Sequence, residues 1–574
     1  MSNNKQKLEL TWIGKNNPEY DISNIEPRIL EENPELSNTL IDPNTENMII
    51  HGDNLLALKA LLPEYENKIK CIYVDPPFNT GGAFEHYDDN VEHSTWLSLM
   101  KPRFELLRIL LKDDGAIFVQ LDDSEVAYFK VLMDEIFGRD NYLNQITVST
   151  NSPFGFKATS SSLFKQANQL LLYTKDKNKF SFIKGKLFIE KEYDIAYKWV
   201  FENKDKEENF WTWRNINEVV SQKLGFDSYA EAKKKISKQE LEAEVAIYAL
   251  NNADKVFRTA SVTGGAYLKR KDTIALSKLH RDKIIRHPND DMDYMFIGGE
   301  RIISYKERLI DVGEYKVPGE LITDIWTDIS IEGLASEGGV VFPKGKKPER
   351  IIQRCIDIST NEGDYILDSF LGSGTTAAVS HKMKRKYIGI EMGEQVYSHV
   401  QKRLISVVSG SDQSGISKAV KWEGGGGFKF YELAPSFITN DEFGNPVIDS
   451  FYNDSKLIKA MCKLMNFTYK PSQTEYWKHG IGQGKNYLYV TTQLLTSGMI
   501  QQIAGHLAGG ESLIVCPKKF EPGADKIDSR IIIKKIPQSI LKACHFGKKE
   551  YLLPIKEKTL EELENETEDE DDNN

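Results

Sequence analysis

The sequence predicts an α/β protein built on a doubly wound, mostly parallel sheet, and three observations carry that prediction. Short apolar, β-rich runs alternate with stretches whose apolar residues recur at helical spacing. The runs end abruptly in acidic or glycine-rich turns, among them Gly52-Asp53, Asp75-Pro76-Pro77, Asp122-Asp123 and Gly372-Ser-Gly374. The alternation stops near residue 180 and resumes at Lys344, which marks one sheet interrupted by an insert.

Taken in order, residues 1–46 are polar and rich in Asn, Glu and Pro, and read as an arm wrapped on the domain. Asn47-Met-Ile-Ile-His-Gly-Asp53 is a strand followed by a helix over 54–62. A buried strand over 69–74 stops at Asp75-Pro76-Pro77, whose carbonyls are expected to point outward without sheet partners. Trp96, Leu99, Met100, Phe104, Leu107 and Leu111 place a helix over 94–111. Strands over 116–121, 145–150 and 169–174 and a helix over 124–137 complete the first half of the sheet domain, 47–179.

The insert, 180–335, holds a Lys/Glu-rich helix over 229–250 and paired tryptophans, Trp211 and Trp213. Between Lys255 and Arg308 twelve Lys/Arg face seven Asp/Glu, interleaved with Tyr267, Tyr294, Phe296 and Tyr305. Basic and aromatic residues mixed in this way suit phosphates and base edges, and Lys269, Arg270, Lys271, Arg281, Arg286 and Arg301 are the candidate contacts. The second half of the domain, 336–423, carries a helix over 348–358, a strand over 365–370, a glycine loop, a helix over 377–383 and a strand over 386–391. Gly424-Gly-Gly-Gly427 reads as a hinge to a further α/β unit at 428–556, with aliphatic strands such as Tyr487-Leu-Tyr-Val-Thr-Thr492 and Ser512-Leu-Ile-Val-Cys516.

Composition is that of an ordinary globular protein, 40% hydrophobic and 28% charged over 574 residues. No apolar run reaches the roughly 18 residues of a membrane span and the N-terminus carries no signal segment, so the chain is expected in the cytoplasm, away from membranes. Cys71, Cys355, Cys462, Cys516 and Cys544 form no CxxC pair, so neither a metal site nor a disulfide frame is expected. The net charge of −11 is misleading: the tail 557–574 holds ten Asp/Glu against one Lys and reads as disordered. The rest of the chain is close to neutral and does not exclude a nucleic-acid partner.

Two stretches carry chemistry. Asp75-Pro76-Pro77-Phe78 puts a carboxylate, a rigid carbonyl and an aromatic ring at the C-terminal end of a strand, where open α/β sheets bind ligands. Gly372-Ser-Gly374-Thr-Thr-Ala377 follows a strand and opens a helix, with Glu391 nineteen residues beyond Gly372. Such a loop admits an adenosine-bearing ligand and such an acid accepts ribose hydroxyls, which serves a nicotinamide dinucleotide or S-adenosyl-L-methionine equally. The Asp-Pro-Pro-Phe stretch separates the two: hydride transfer has no use for it, whereas methylation of an exocyclic amine does. An amine lone pair delocalised into a base is a poor nucleophile, and two acceptors that take its hydrogens draw the nitrogen towards tetrahedral geometry. Phe78 can stack on the base, worth about 1–3 kcal/mol, once the base has left the duplex.

Asp75-Pro-Pro-Phe-Asn-Thr-Gly81 and Asp368-Ser-Phe-Leu-Gly-Ser-Gly-Thr375 together resemble the catalytic and cofactor motifs of DNA amino-methyltransferases. The order, catalytic motif first with an insert between, resembles the β class, and over residues 7–556 the chain resembles the modification (Mod) subunits of type III restriction–modification systems. The resemblance implies a seven-stranded-type methyltransferase sheet in permuted order, with 180–335 as the target-recognition insert. It implies Asp75, Pro76, Pro77 and Phe78 as catalytic residues, and Asp53, Asp368, Phe370, Gly372, Gly374, Thr375 and Glu391 around S-adenosyl-L-methionine. Phe342-Pro-Lys-Gly-Lys-Lys-Pro-Glu-Arg350 resembles the motif bordering the methionine part of that cofactor, and either Lys344 or Lys347 is the contact. Many relatives carry a His where this chain has Gln166-Ala-Asn168. The implied reaction is adenine-N6 methylation of double-stranded DNA, with cytosine-N4 methylation or a DNA-binding subunit with vestigial catalysis as alternatives. The implied partners are a second copy, as a homodimer, and a Res-type helicase–nuclease.

Overall fold

The computed structural model describes residues 8–79, 92–150, 163–288, 294–311, 316–331, 333–342, 345–440, 446–452 and 454–536. Lys344 and the acidic tail lie outside the described residues. The chain divides into two compact units, Met1–Phe182 with Asp324–Asn574, and Ile183–Thr323. The second falls within the insert expected at 180–335, with tighter bounds at both ends.

The first unit is organised by a ten-stranded sheet. Its strands are β1 (Leu30–Glu32), β2 (Met48–His51), β3 (Ile69–Val74), β4 (Leu111–Leu121), β5 (Tyr142–Ser149), β6 (Ala167–Thr174), β7 (Ile325–Trp326), β8 (Tyr365–Asp368), β9 (Lys386–Glu391) and β10 (Lys429–Leu433). In space the order is β1-β10-β2-β9-β8-β3-β4-β6-β5-β7. Pairings from β10 through β4 are parallel. β6 runs antiparallel to both β4 and β5, and β1 antiparallel to β10, so the strands expected over 145–150 and 169–174 form an antiparallel flank.

Every residue of β3 is buried, as a strand covered on both faces requires. On one face lie α1 (Asn54–Tyr65), α2 (His93–Leu110) and α3 (Val126–Met133), which share a core with Ile72, Val74, Ile388 and Ile390. Phe129 anchors that layer, with Phe104 at 4.7 Å and Trp96 at 5.5 Å in edge-on contact, each pair worth about 0.5–1.5 kcal/mol beyond burial. Strand alternation turns Cys71 and Tyr73 to the opposite face. There α4 (Glu349–Ser359) packs on β3 and β4, and α5 (Thr375–Lys382) on α4 and β9.

Chain direction around β3 and β8 positions the site. From β3 the chain passes through α2 to β4 on one side, and from β8 through α5 to β9 on the other. The two strands are parallel neighbours, with Ile72 opposite Leu367. Their C-terminal ends therefore open a crevice at a topological switch point, where such sheets bind ligands.

The glycine run 424–427 is not a hinge. Gly424, Gly425 and Gly426 have positive φ, and the run is pinned: Gly425 N–H donates to Val408 O at 2.8 Å, His381 Nε2 donates to Gly425 O at 2.8 Å, and Thr45 Oγ1 and Asn47 Nδ2 donate to Gly427 O at 2.8 and 2.9 Å. The chain then enters the main sheet as β10, between β1 and β2. The expected boundary at 428 thus falls inside the sheet domain, and the expected N-terminal arm contributes the edge strand. The independent C-terminal sheet starts later: Thr468–Tyr469, Gly480–Ile481, Asn486–Leu495, Ser512–Phe520 and Ile531–Ile533, with helices Asp454–Leu464 and Ser497–His506. One apolar cluster, around Tyr489, Leu513 and Ile531, is its own, and a second is shared with Ile29 and Ala434.

The unit Ile183–Thr323 holds a six-stranded and a three-stranded sheet. The single helix expected over 229–250 is two, Tyr229–Lys235 and Lys238–Asn251. Ser228 and Ser237 cap them by accepting from Glu231 N and Glu240 N, and each Ser-x-x-Glu is a capping signal that periodicity alone overlooks. Tyr294, Phe296 and Tyr305, expected to face bases, are buried in the unit's core. Arg270 is buried with them, 3.7 Å from the Tyr294 ring centroid, and Arg301 stacks on the same ring at 4.2 Å. Arg270 is therefore a core cation and not a surface contact. Lys269, Lys271, Arg281 and Arg286 are exposed, with Arg286 paired to Glu208.

Phe430 is fully buried in β10 and stacks on Tyr397 at 5.5 Å. Phe430→Ala is expected to destabilise the main sheet by about 3–5 kcal/mol, read as faster amide exchange in β2 and β9. Exchange accelerated only in the C-terminal sheet would contradict this placement of β10.

Candidate active site

At the end of β3, Asp75 is 17% exposed. Its Oδ2 pairs with the Lys347 ammonium, while Oδ1 is buried without a hydrogen-bond partner among the described residues. Burial pushes the carboxyl above its usual range, against the opposing pull of Lys347. The same ammonium stands 5.1 Å from the centroid of Phe78, which packs on the main core. Trp96 Nε1 donates to Pro77 O at 2.9 Å, so this carbonyl meets a side chain where it has no sheet partner. Asn79, at φ +59°, donates from Nδ2 to Glu125 Oε1 at 2.7 Å, and His93 Nδ1 reaches the same oxygen at 2.6 Å. The motif is thus held from α2 and from Glu125, which is wholly buried. Neither support stands out in the sequence, because Trp96 reads as a core residue and Glu125 as one more acid after Asp122-Asp123.

At the end of β8, Asp368 is 3% exposed and accepts from Phe370 N at 2.9 Å and Thr376 Oγ1 at 2.6 Å. Burial first, then the charges of Asp75 and Glu391, push its carboxyl up to about 7. Gly372 and Gly374 take φ of +55° and +81°, conformations that side chains rarely adopt. A Cβ on Gly372 would project into open space, so its backbone is left bare, whereas one on Gly374 would press on Val400 at 3.2 Å. Glu391 ties β9 to this loop, accepting from Gly372 N at 2.7 Å, Met392 N at 2.9 Å, Gly393 N at 3.0 Å and Gln395 Nε2 at 2.8 Å. Thr375 opens α5 and accepts from Arg403 Nη1 at 2.8 Å.

Asp53 caps α1, accepting from Leu55 N and Leu56 N at 2.9 and 3.2 Å, and pairs with buried Arg103 at 3.1 Å. Arg103 also donates to Asn54 Oδ1, and Asn54 Nδ2 donates to Ser369 O, so the ends of β2 and β8 are fastened together. Of the two lysines left open by the sequence, Lys347 is placed at the site and Lys344 lies outside the described residues. Lys346 turns away, donating to Val340 O and Ala335 O, and burial lowers it to about 8. Behind the glycine loop, Glu349 binds both Lys382 and Arg403, and Lys382 also binds Asp412, all shielded from water. No sequence signal marks this cluster, since its lysine and arginine look like surface residues.

The crevice between the strands is lined by Tyr73, Asp75, Lys347, Asp368, Phe370 and Gly372. It gathers two carboxyl groups with one ammonium, and Glu391 adds a third acid at the edge of the loop. A bare glycine backbone and a buried carboxylate oxygen without a partner among the described residues fit a polar ligand that carries positive charge. Among the described residues no His/Cys/Asp/Glu cluster could hold a metal, and no helix is long and apolar enough to cross a membrane.

The two strand-end motifs meet at the crevice of a doubly wound sheet, where such folds bind ligands, and the DNA methylase family model matches residues 69–258 and 261–402. The chain belongs to that family. Its relatives include the probable type III restriction-modification enzyme HindVI Mod subunit of Haemophilus influenzae, 36% identical over 423 residues, 68% of this chain and 54% of that protein. The type III enzyme EcoPI Mod subunit of Escherichia phage P1 is 27% identical over 67% of this chain and 62% of its own length. The EcoP15I Mod subunit of Escherichia coli is 24% identical, over 76% and 73%. The chain thus spans less than two thirds of the first two relatives.

Asp368 gives a pH signature with a definite sign. Its folded-state value, about 7, lies above the ordinary 3.8, so the folded protein keeps a proton that the unfolded chain has lost. That stabilisation is fully present below about pH 4 and is lost as pH rises through about 7, amounting to roughly 2–4 kcal/mol. Asp368→Asn is expected to lack this slope, so that the difference in urea stability between variant and wild type changes with pH between about 4 and 7. Parallel pH profiles for the two proteins would contradict it.

Proposed function

We propose that this chain transfers a methyl group from S-adenosyl-L-methionine to the exocyclic amine of an adenine flipped out of duplex DNA. The observation that carries this reading is the buried Asp75 carboxylate, with one oxygen unpartnered, beside Phe78 and next to the bare glycine loop of the neighbouring strand. Asp75 Oδ1 and the Pro76 carbonyl accept the two amine hydrogens and localise the nitrogen lone pair. Phe78 stacks on the base, adding about 1–3 kcal/mol. Phe370, Gly372 and Thr375 would hold the cofactor, with Asp368 and Glu391 fixing the loop around it and Asp53 at its adenine edge. The sulfonium of S-adenosyl-L-methionine supplies a methyl group already activated for transfer. What this chain adds is alignment of nitrogen with methyl carbon and exclusion of water, which is where most of the acceleration in such a reaction lies. After transfer the product nitrogen is cationic, and it gives one proton to the Asp75 carboxylate, from which water takes it up, with S-adenosyl-homocysteine as the other product.

The likeness to Mod subunits supports a place in a type III restriction–modification system, with double-stranded DNA as substrate, a Res-type helicase–nuclease as partner and the cytoplasm as location. The unit Ile183–Thr323 is the target-recognition domain in this reading, supported by exposed Lys269, Lys271, Arg281 and Arg286. The C-terminal sheet, which the chemistry leaves without a task, serves homodimer assembly.

Mass spectrometry of nucleosides from plasmid methylated by the protein is expected to show N-methyladenine, and methylcytosine alone would overturn the adenine assignment. Asp75→Ala is expected to lower methylation by at least about 10²-fold while S-adenosyl-homocysteine affinity stays within about threefold by calorimetry. Light scattering of the full chain is expected to give a dimer mass, and a fully active monomer at micromolar concentration would defeat that assignment.

A further inference from the structure

The ammonium of Lys347 stands over the ring face that the methyl-transfer reading reserves for the target base, on the carboxylate whose other oxygen, Oδ1, is reserved for the amine. It pairs with Asp75 Oδ2 and stands over Phe78, the ring on which the base is to stack. The two charged side chains are 13% and 17% exposed, so the pair is largely withdrawn from water. An ammonium and an aromatic amine present the same kind of donor, N–H, to the same acceptor. A pocket shaped to receive one at a carboxylate above a ring is shaped to receive the other.

How Lys347 is held distinguishes it from its neighbours. Beyond Asp75, it donates one long hydrogen bond among the described residues, to Gly345 O at 3.3 Å. Lys346 is fixed by two carbonyls, and Lys382 by Glu349 and Asp412 at full burial. Those two are structural cations. Lys347 sits at the crevice two residues ahead of α4, with its side chain 13% exposed.

We propose that Lys347 is a built-in surrogate for the target amine, filling the Asp75–Phe78 pocket until a flipped base displaces it. The inference rests on the methyl-transfer reading. Before the base arrives, the ammonium compensates a carboxylate that is otherwise expensive to bury. When the neutral amine replaces the cation, the carboxylate loses its counter-charge, and its pull on the amine hydrogens strengthens at the moment it is needed. A base that cannot offer N–H donors to Asp75 does not repay the loss of the ion pair and is not retained. Lys347 is in these terms a positioning residue that acts through Asp75.

Acetic anhydride footprinting of the full-length protein with mass-spectrometric readout tests this. In the free protein Lys347 is expected to react at least about fivefold more slowly than exposed Lys271 and Lys283, because it is paired and shielded. Its reaction is expected to accelerate in Asp75→Asn without DNA, and in wild type on adding a duplex that carries the methylated site. No acceleration in Asp75→Asn overturns the pairing. Methylation by a protein whose Lys347 ignores the duplex overturns the displacement alone, whereas absence of methylation on any DNA overturns the methyl-transfer reading itself. Lys347→Met supplies the control for a different role: S-adenosyl-homocysteine affinity is expected to stay within about threefold, and a loss of tenfold or more makes Lys347 a cofactor ligand and overturns the proposal.

Discussion

Side-by-side pairing of β3 and β8 is the constraint on which the remaining structure depends. The two strands are separated by almost three hundred residues of chain, yet Ile72 stands opposite Leu367 in a parallel register. That register brings Asp75, just beyond β3, and Asp368, the last residue of β8, to one crevice. A slip by one residue would turn every side chain of one strand to the other face. Cys71 and Tyr73 would then enter the α1–α2–α3 core, and the acid at the strand end would point away from its neighbour. The site is therefore as well defined as the apolar packing on both faces makes it.

Around that pairing, charge is used in two different ways. Asp53–Arg103 and Glu349–Lys382–Arg403–Asp412 are closed sets in which each buried ion meets an opposite charge. They hold the ends of strands and helices and leave little for a ligand. The crevice is the open counterpart, with acids outnumbering the one ammonium and polar atoms left unpartnered. Rigid surroundings keep such an imbalance from relaxing, which is what a site for a cationic ligand requires.

Much of this was legible in the sequence where burial on both faces forces a continuous apolar run. β3 and β9 have the expected bounds for that reason, and the two strand-end motifs stand where open sheets place ligands. Three kinds of feature were not legible. β1 and β10 are short and half polar, and they owe their existence to a pairing between residues some four hundred positions apart. Lys382 and Arg403 carry the signature of a solvated face and are buried only because Glu349 meets them. Tyr294 and Arg270 look like a nucleic-acid surface but satisfy each other inside a core. In each case partners distant in sequence decide, and local pattern cannot report them. The lysine motif is intermediate: its proximity to the site was expected, but only the fold shows that Lys347 turns towards Asp75 while Lys346 turns away.

The position of β10 bears on how the molecule is made. β2 lies between β9 and β10, both synthesised more than three hundred residues later. At the usual pace of translation, about 5–20 residues per second, β2 waits on the order of tens of seconds with both hydrogen-bonding edges open. Unpaired edges of apolar strands are adhesive. The unit Ile183–Thr323 emerges during that interval and contains pairings that close within itself, so it can mature while the sheet beside it cannot. Ribosome stalling or truncation between 324 and 428 would leave a folded insert tethered to an unfinished sheet, a species prone to aggregate. Chaperone demand for this chain is thus set by when its last central strand arrives, more than by the stability of the finished protein.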